Sequence, residues 1–220
     1  MKKYWPIFLG AGLGIFALIL RRLLHIPDER FISFYLTFIL ISFLAIFVVN
    51  FIWQLLFFKK LAGLTHILHK EKDPDRFIAE NEKLLQTVRA PLNRNLISMN
   101  ICVGHAEKGD YRLAKEILLQ IPENQMKGIN KVIYNHNLCY FHFLLGENTS
   151  GIAVFNANRE LFRKFENHPG LGGSIAVNNI YYLIATGEKE QAKQMLDQAK
   201  SKFTDPKLEK DLADLEKILS

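Results

Sequence analysis

Up to Phe58 the chain is apolar almost without interruption, and beyond it apolar positions return every three to four residues among charged ones. The first part holds two uncharged runs. Tyr4–Leu20, "YWPIFLGAGLGIFALIL", has 17 residues, and Phe31–Phe58 has 28. At ~1.5 Å per residue the second reaches ~42 Å, more than a ~30 Å hydrocarbon core, so it spans with tilt and leaves its Trp53–Phe58 end at the interface. The first run is followed by Arg21 and Arg22, where a signal peptide needs small residues for cleavage, so it reads as an uncleaved anchor. The short link "RRLLHIPDER" predicts an antiparallel transmembrane hairpin. Gly10, Gly12 and Gly14 would let the two backbones approach, and Asn50, deep in the second span, would serve as an interhelical hydrogen-bond partner.

Past the spans, Leu61, Leu64 and Leu68 share a helical face with Lys and His elsewhere, which predicts an interfacial helix or a continuation of the second span over 59–72. From Asp73 onward the period is helical, with breaks at Pro and Gly and no alternating strand pattern, so the fold class is all-α. "DPDRFIAENEKLLQTVRAP" opens and closes on proline, as a single helix does. The terminal "PKLEKDLADLEKIL" sets Leu208, Leu212, Leu215 and Leu219 on one stripe and reads as a capping helix with a polar outer face. The domains are therefore 1–58 (spans about 4–20 and 31–58), 59–72 and 73–220.

Within the last domain "GHAEKGDYRLAKEILL" has counterparts in "FHFLLGENTSGIAVF" and "YYLIATGEKEQAKQML". Their corner glycines, Gly109, Gly146 and Gly187, recur at intervals of 37 and 41 residues. A helix, a Gly-polar corner and a second helix at a period just above thirty resembles the tetratricopeptide repeat, about 34 residues long. The second-helix slots of that family read Ala114 and Leu118, Gly151 and Phe155, Ala192 and Leu196. The first-helix slots depart from it: Ser98, Ile101-Cys102 and His105; Asn135, Leu138-Cys139 and His142; Ala176, Asn179-Ile180 and Leu183. The closing proline comes early at Pro122 and late at Pro206. The resemblance covers about residues 93–206 and implies a short α-solenoid of degenerate helix pairs.

It also implies a concave groove lined by the first helices, here Met99, Val103, His136, Asn137, Tyr140, Phe143, Val177, Asn178 and Tyr181. In five of the family's carboxylate-clamp slots stand Met99, Val103, Asn137, Ser174 and Asn178, of which only Asn137 matches, so chaperone-tail binding is not implied. A partner's helix or apolar segment suits the stripe. Equally, the stripe is core covered by the chain's own C-terminal helix.

Charge and chemistry change this picture little. The net charge of +6 is shared between residues flanking the spans and a soluble part whose Lys and Glu are interspersed, so no nucleic-acid stripe forms. Lys2, Lys3, Lys59, Lys60, Lys70 and Lys72 against Arg21, Arg22 and Arg30 put both termini in the cytoplasm. The double arginine argues the other way and keeps open an outward-facing domain, as in envelope assembly and cytochrome-maturation proteins. Asn148-Thr-Ser matches a glycosylation sequon, which matters only if that side meets a glycosylating lumen. Cys102-x-x-His105 and Cys139-x-x-His142 recur at the repeat interval. A zinc site is the alternative to small and aromatic packing residues in equivalent slots. Two cysteines do not make a disulfide framework. "NHPGLGGSIAV" (Asn167–Val177) reads as a loop with Ser174 as N-cap rather than a phosphate cradle. No nucleophile with a base, carboxylate pair or HExxH motif stands out, so no enzyme and no cofactor are expected. The expected function is a membrane-anchored scaffold that recruits another protein.

Overall fold

The computed structural model describes residues 5–25 and 27–220. Lys2, Lys3 and Tyr4, which enter the orientation and the start of the first span, lie outside the described residues. Among the described residues every regular element is helical and no strand occurs. The chain divides into two units, Met1–Lys60 and Leu61–Ser220.

The first unit holds α1 (Trp5–Leu23) and most of α2 (Asp28–His66). No proline interrupts α2, and it runs on through residues 59–66. Ile67–Glu71 then add a π-helical turn that ends at Lys72, whose φ of +54° takes the chain out of the helix. With this extension it is, among the described residues, the one helix long and apolar enough to cross a membrane. The α1–α2 contact differs from the sequence expectation. A Cβ added at Gly10 or Gly12 would meet nothing within 4 Å, and one at Gly14 would meet only the Tyr35 hydroxyl at 3.8 Å. Aromatic side chains hold the helices apart, with the Phe16 and Phe38 rings 5.8 Å apart. Nor does α1 offer Asn50 a hydrogen bond among the described residues; Asn50 stands exposed.

The second unit consists of α3 (Pro74–Thr87), α4 (Pro91–Glu107), α5 (Tyr111–Leu119), α6 (Ile129–Leu144), α7 (Asn148–Phe165), α8 (Gly172–Ala185), α9 (Lys189–Lys202) and α10 (Glu209–Leu219). Asp73 caps α3 by accepting from the Arg76 backbone N–H at 2.9 Å, and Pro74 supplies a first residue that needs no donor. Neighbouring helices pack as pairs, α3 with α4, α4 with α5, α6 with α7 and α8 with α9.

Three of the corners share one backbone. Gly109, Gly146 and Gly187 stand at φ +84°, +72° and +84°, the left-handed region that glycine enters without strain. Each is followed by an acid. The N–H groups of Asp110, Glu147 and Glu188 return to the carbonyls of His105, His142 and Leu183 at 2.9, 2.9 and 2.8 Å. The glycine N–H groups return to Ala106, Phe143 and Ile184 at 2.9, 3.0 and 3.1 Å. This is the Schellman pattern, which satisfies two of the carbonyls a helix end leaves orphaned. The same acid then accepts the first bond of the next helix, from Ala114, Gly151 and Ala192. The recurrence read in the sequence is thus a recurrence of backbone conformation.

The core runs along these pairs. Cys139, Phe143, Phe155, Phe162, Ile175, Ile180, Tyr181 and Leu196 form one buried cluster, and Leu208, Leu212, Leu215 and Leu219 of the C-terminal segment join it. A smaller cluster of Ile67, Leu68 and Phe77 seats the start of the unit. Ser174 is not the cap expected of it: α8 begins at Gly172, after Leu171, with no side-chain cap. The paired glycines have a packing reason instead. A Cβ at Gly172 would strike the Glu166 carbonyl oxygen, and one at Gly173 would strike Leu208. At these glycines Phe203 and Leu208 pack directly against the start of α8.

Candidate functional site

In the second unit α4, α6, α8 and the C-terminal segment surround a partly open cavity of about 210 Å³. Its walls come from α4 (Val103, Ala106, Glu107), α6 (His136, Asn137, Tyr140, Phe141), α8 (Ser174, Val177) and the segment Lys207–Asp211, with His69 and Tyr111 beside them. Of the nine residues expected in a groove, Val103, His136, Asn137, Tyr140 and Val177 line this cavity. Met99, Phe143, Asn178 and Tyr181 are buried away from it, and the Phe143 and Tyr181 rings stack at 6.0 Å inside the main cluster. The apolar stripe is therefore side-chain core for most of its length, and α10 lies on it.

One hydrogen bond ties α10 to α6. The Tyr140 hydroxyl donates to Asp211 Oδ1 at 2.6 Å. Burial pushes the tyrosine hydroxyl far above its ordinary range, and the Asp211 charge adds to this. Burial also raises the Asp211 carboxyl, against the opposing effect of the Tyr140 bond. Each group holds the other in a state that costs less than being buried alone.

The amides divide between core and cavity. Asn178, 1% exposed, donates through Nδ2 to His136 Nδ1 at 2.7 Å and to the His136 carbonyl at 3.0 Å. As acceptor, Nδ1 carries no proton, so the neutral imidazole bears its hydrogen on Nε2. Burial pushes the His136 pKa down to about 4, which keeps the ring neutral. Asn137, 8% exposed, lines the cavity, and its Nδ2 is buried without a partner. A buried donor left unmade costs about 1–3 kcal/mol, a cost the folded chain carries beside the cavity. Glu107, Lys207 and Lys210 stand exposed around the opening and bring both signs of charge to it.

Sequence reading missed Asp211, Tyr111, Glu107, Lys207 and Lys210, because they lie outside the slots the repeat pattern names. Asp211 alone left a signal. It sits three residues after Leu208 and four before Leu215, at the edge of the apolar stripe of α10, where a carboxylate must find a partner.

The Cys/His alternative is not assembled. Cys139 Sγ donates to the Gly151 carbonyl at 3.5 Å, and burial pushes both Cys102 and Cys139 thiols up to about 12. His142 Nδ1 faces Glu147 at 2.6 Å, and Glu147 also takes Lys115 at 2.5 Å. His105 lies 3.9 Å from Asp110. Each histidine thus turns to the acid of its own corner. Among the described residues no group of three or more His, Cys, Asp or Glu is placed to hold a metal.

Against family models, curated proteins and solved structures, the chain has no match.

Proposed function

We propose that this protein is a membrane-anchored scaffold: a two-span hairpin, α1 and α2, holds at the bilayer a tetratricopeptide-like domain that recruits another protein. The observation that carries the reading is the triple recurrence of the Gly-acid corner, at φ +84°, +72° and +84° with matching hydrogen bonds, in a chain that also holds a span-length apolar helix. Stacked helix pairs of this kind present a concave face to a ligand.

With α10 seated on the apolar stripe, the cavity beside it, with charges of both signs at its rim, suits a short polar segment of the partner. The mouth residues are the ones to perturb, since they are exposed. Affinity capture from membranes with the double variant Glu107→Lys/Lys210→Glu, beside the unaltered protein, tests the reading. Loss of a captured protein at unchanged thermal stability is expected. Identical captured proteins in both would sink it.

A second reading keeps the fold and turns the domain outward, as an envelope assembly or maturation factor. Arg21 and Arg22, immediately after the apolar part of α1, favour it. A reporter fused after Ser220 separates the two: activity of a cytoplasmic-only reporter supports the first orientation, and activity of an export-only reporter the second.

A further inference from the structure

The side chains of α2 that face α1 are half-buried: Phe34, Tyr35, Phe38, Ile39 and Ser42. From Phe43 to Leu56 every face of α2 is exposed, and one line along it is distinguished by its polar members. Leu36, Leu40, Phe43, Phe47, Asn50 and Gln54 follow one another at intervals of 4, 3, 4, 3 and 4 residues, and the four apolar members are 60–69% exposed. At about 100° per residue these six fall within about 40° of one line along the helix, roughly a quarter-turn or more from the centre of the α1-facing side. The spacing is the 3.5-residue repeat of a left-handed helix pair.

Two carboxamides sit on that stripe. Among the described residues neither Asn50 nor Gln54 makes a side-chain hydrogen bond, and both are exposed. With the Trp53–Phe58 end at the interface, Asn50 lies ~4.5 Å inside the hydrocarbon edge and Gln54 at the interface. Hydrocarbon supplies no partner at the depth of Asn50. A carboxamide donates and accepts at once, so it can pair with an identical group. When two copies insert with the same orientation and meet across a two-fold axis, each seam residue faces its own counterpart at equal depth. A second copy therefore answers both amides with no further sequence requirement. A different helix would need a polar group at the same level.

We infer that α2 is a self-association helix, pairing two copies in parallel through the Leu36–Gln54 seam with Asn50 and Gln54 as its polar contacts. This rests on the reading of α2 as a membrane span. The full chain, labelled in separate donor and acceptor pools, is reconstituted in phosphatidylcholine vesicles, and energy transfer is followed as lipid dilutes the protein. Transfer that titrates as a dimer is expected, and Asn50→Ala/Gln54→Ala weakens it about tenfold, whereas Asn50→Gln retains it. Cysteines placed at Phe43 or Phe47 cross-link copies in native membranes, and those at Ile41 or Ala45, on other faces, do not. Transfer at the level of random mixing in the wild type, equal dimerisation of the double alanine variant, or seam cross-links only to a different protein each overturn the inference. Release of the protein from membranes by alkaline carbonate overturns the anchor reading itself, and is distinguishable because no vesicle measurement is then made on an inserted chain.

Discussion

Gly151 occupies the second-helix slot that holds Ala114 and Ala192 in the other two units, so repeat logic alone recommends alanine there. Packing predicts the opposite. A Cβ at Gly151 would lie 2.6, 2.7 and 3.1 Å from three atoms of the Phe143 ring. Ordinary contact begins near 3.4 Å, so the ring must retreat by about 0.8 Å to admit it. It has little room to do so, because it is buried and stacks on Tyr181 at 6.0 Å and 16°. Phe143 itself has no equivalent in the neighbouring units, where the repeat intervals place Ala106 and Ile184. The glycine and the phenylalanine are thus one compensated pair. Overpacking of this kind costs about 1–3 kcal/mol, and alanine returns up to ~1 kcal/mol of helix propensity. The net expectation for Gly151→Ala is destabilisation by about 1–2 kcal/mol, or ~2–8 °C in Tm for a domain this size. A cycle with Phe143→Leu completes the test. The leucine substitution costs about 1–2 kcal/mol alone and clearly less, or nothing, when combined with Gly151→Ala. Thermal unfolding of the detergent-solubilised chain, followed by circular dichroism, measures all four variants. A higher Tm for Gly151→Ala, or strict additivity in the cycle, would refute the reasoning.

Gly172→Ala should lower Tm by several degrees, since its Cβ meets the Glu166 backbone carbonyl; Gly170→Ala on the same loop, with only His168 at 3.8 Å, should leave Tm within about a degree. Equal effects at the two positions would contradict the packing account. His136 keeps its ring neutral down to about 4, against 6.5 unperturbed, so the unfolded chain binds the extra proton and stability falls as pH drops through that interval. The ceiling is about 3 kcal/mol, reduced because the residue keeps some exposed surface. Asp211 acts with the opposite sign: its raised carboxyl pKa costs stability above that pKa and the cost vanishes on acidification. Denaturant midpoints at pH 7 and about 4.5 should therefore flatten in His136→Gln and steepen in Asp211→Asn, and an unchanged slope in both would count against these assignments. Tyr140→Phe should cost about 1.5–3 kcal/mol by leaving a half-buried carboxylate without its donor, measured by denaturant unfolding at pH 7; no loss would mean that bond is not made. Both thiols, buried with pKa near 12, should resist Ellman's reagent until the protein unfolds, and rapid modification of either would contradict their placement.

Corner chemistry was the most legible part of the fold. A glycine followed by an acid, at the end of an apolar stripe, has one low-strain solution, so Gly109, Gly146 and Gly187 could be aligned without knowing the packing. Helix boundaries at Pro74 and Pro91 were legible for the same local reason. Packing between elements was not. Gly10 and Gly12 look like close-approach residues, yet Phe16 and Phe38 set the separation of α1 and α2. The Gly172–Gly173 pair reads as a loop before an N-cap at Ser174, and its cause is Leu208 and Glu166, one of them 35 residues away. The site lost most in translation. Repeat slots named the residues that point to the concave side, but nothing local told which of them α10 would cover. Asp211 reaches Tyr140 across 71 positions, beyond any periodic signal.

That coverage bears on how a partner can bind under the proposed function. A helix laid along the apolar stripe would have to displace Leu212, Leu215 and Leu219, and would bury roughly what it uncovers. Such an exchange gains little, and it also breaks the Tyr140–Asp211 bond and leaves that carboxylate to be resolvated. A segment that enters from the Glu107–Lys210 side removes nothing. It leaves the Tyr140–Asp211 bond intact and places charge among groups of both signs. Insertion therefore avoids a cost that replacement carries, and the specificity of the domain should reside in its charged mouth rather than in the stripe that the tetratricopeptide resemblance singles out.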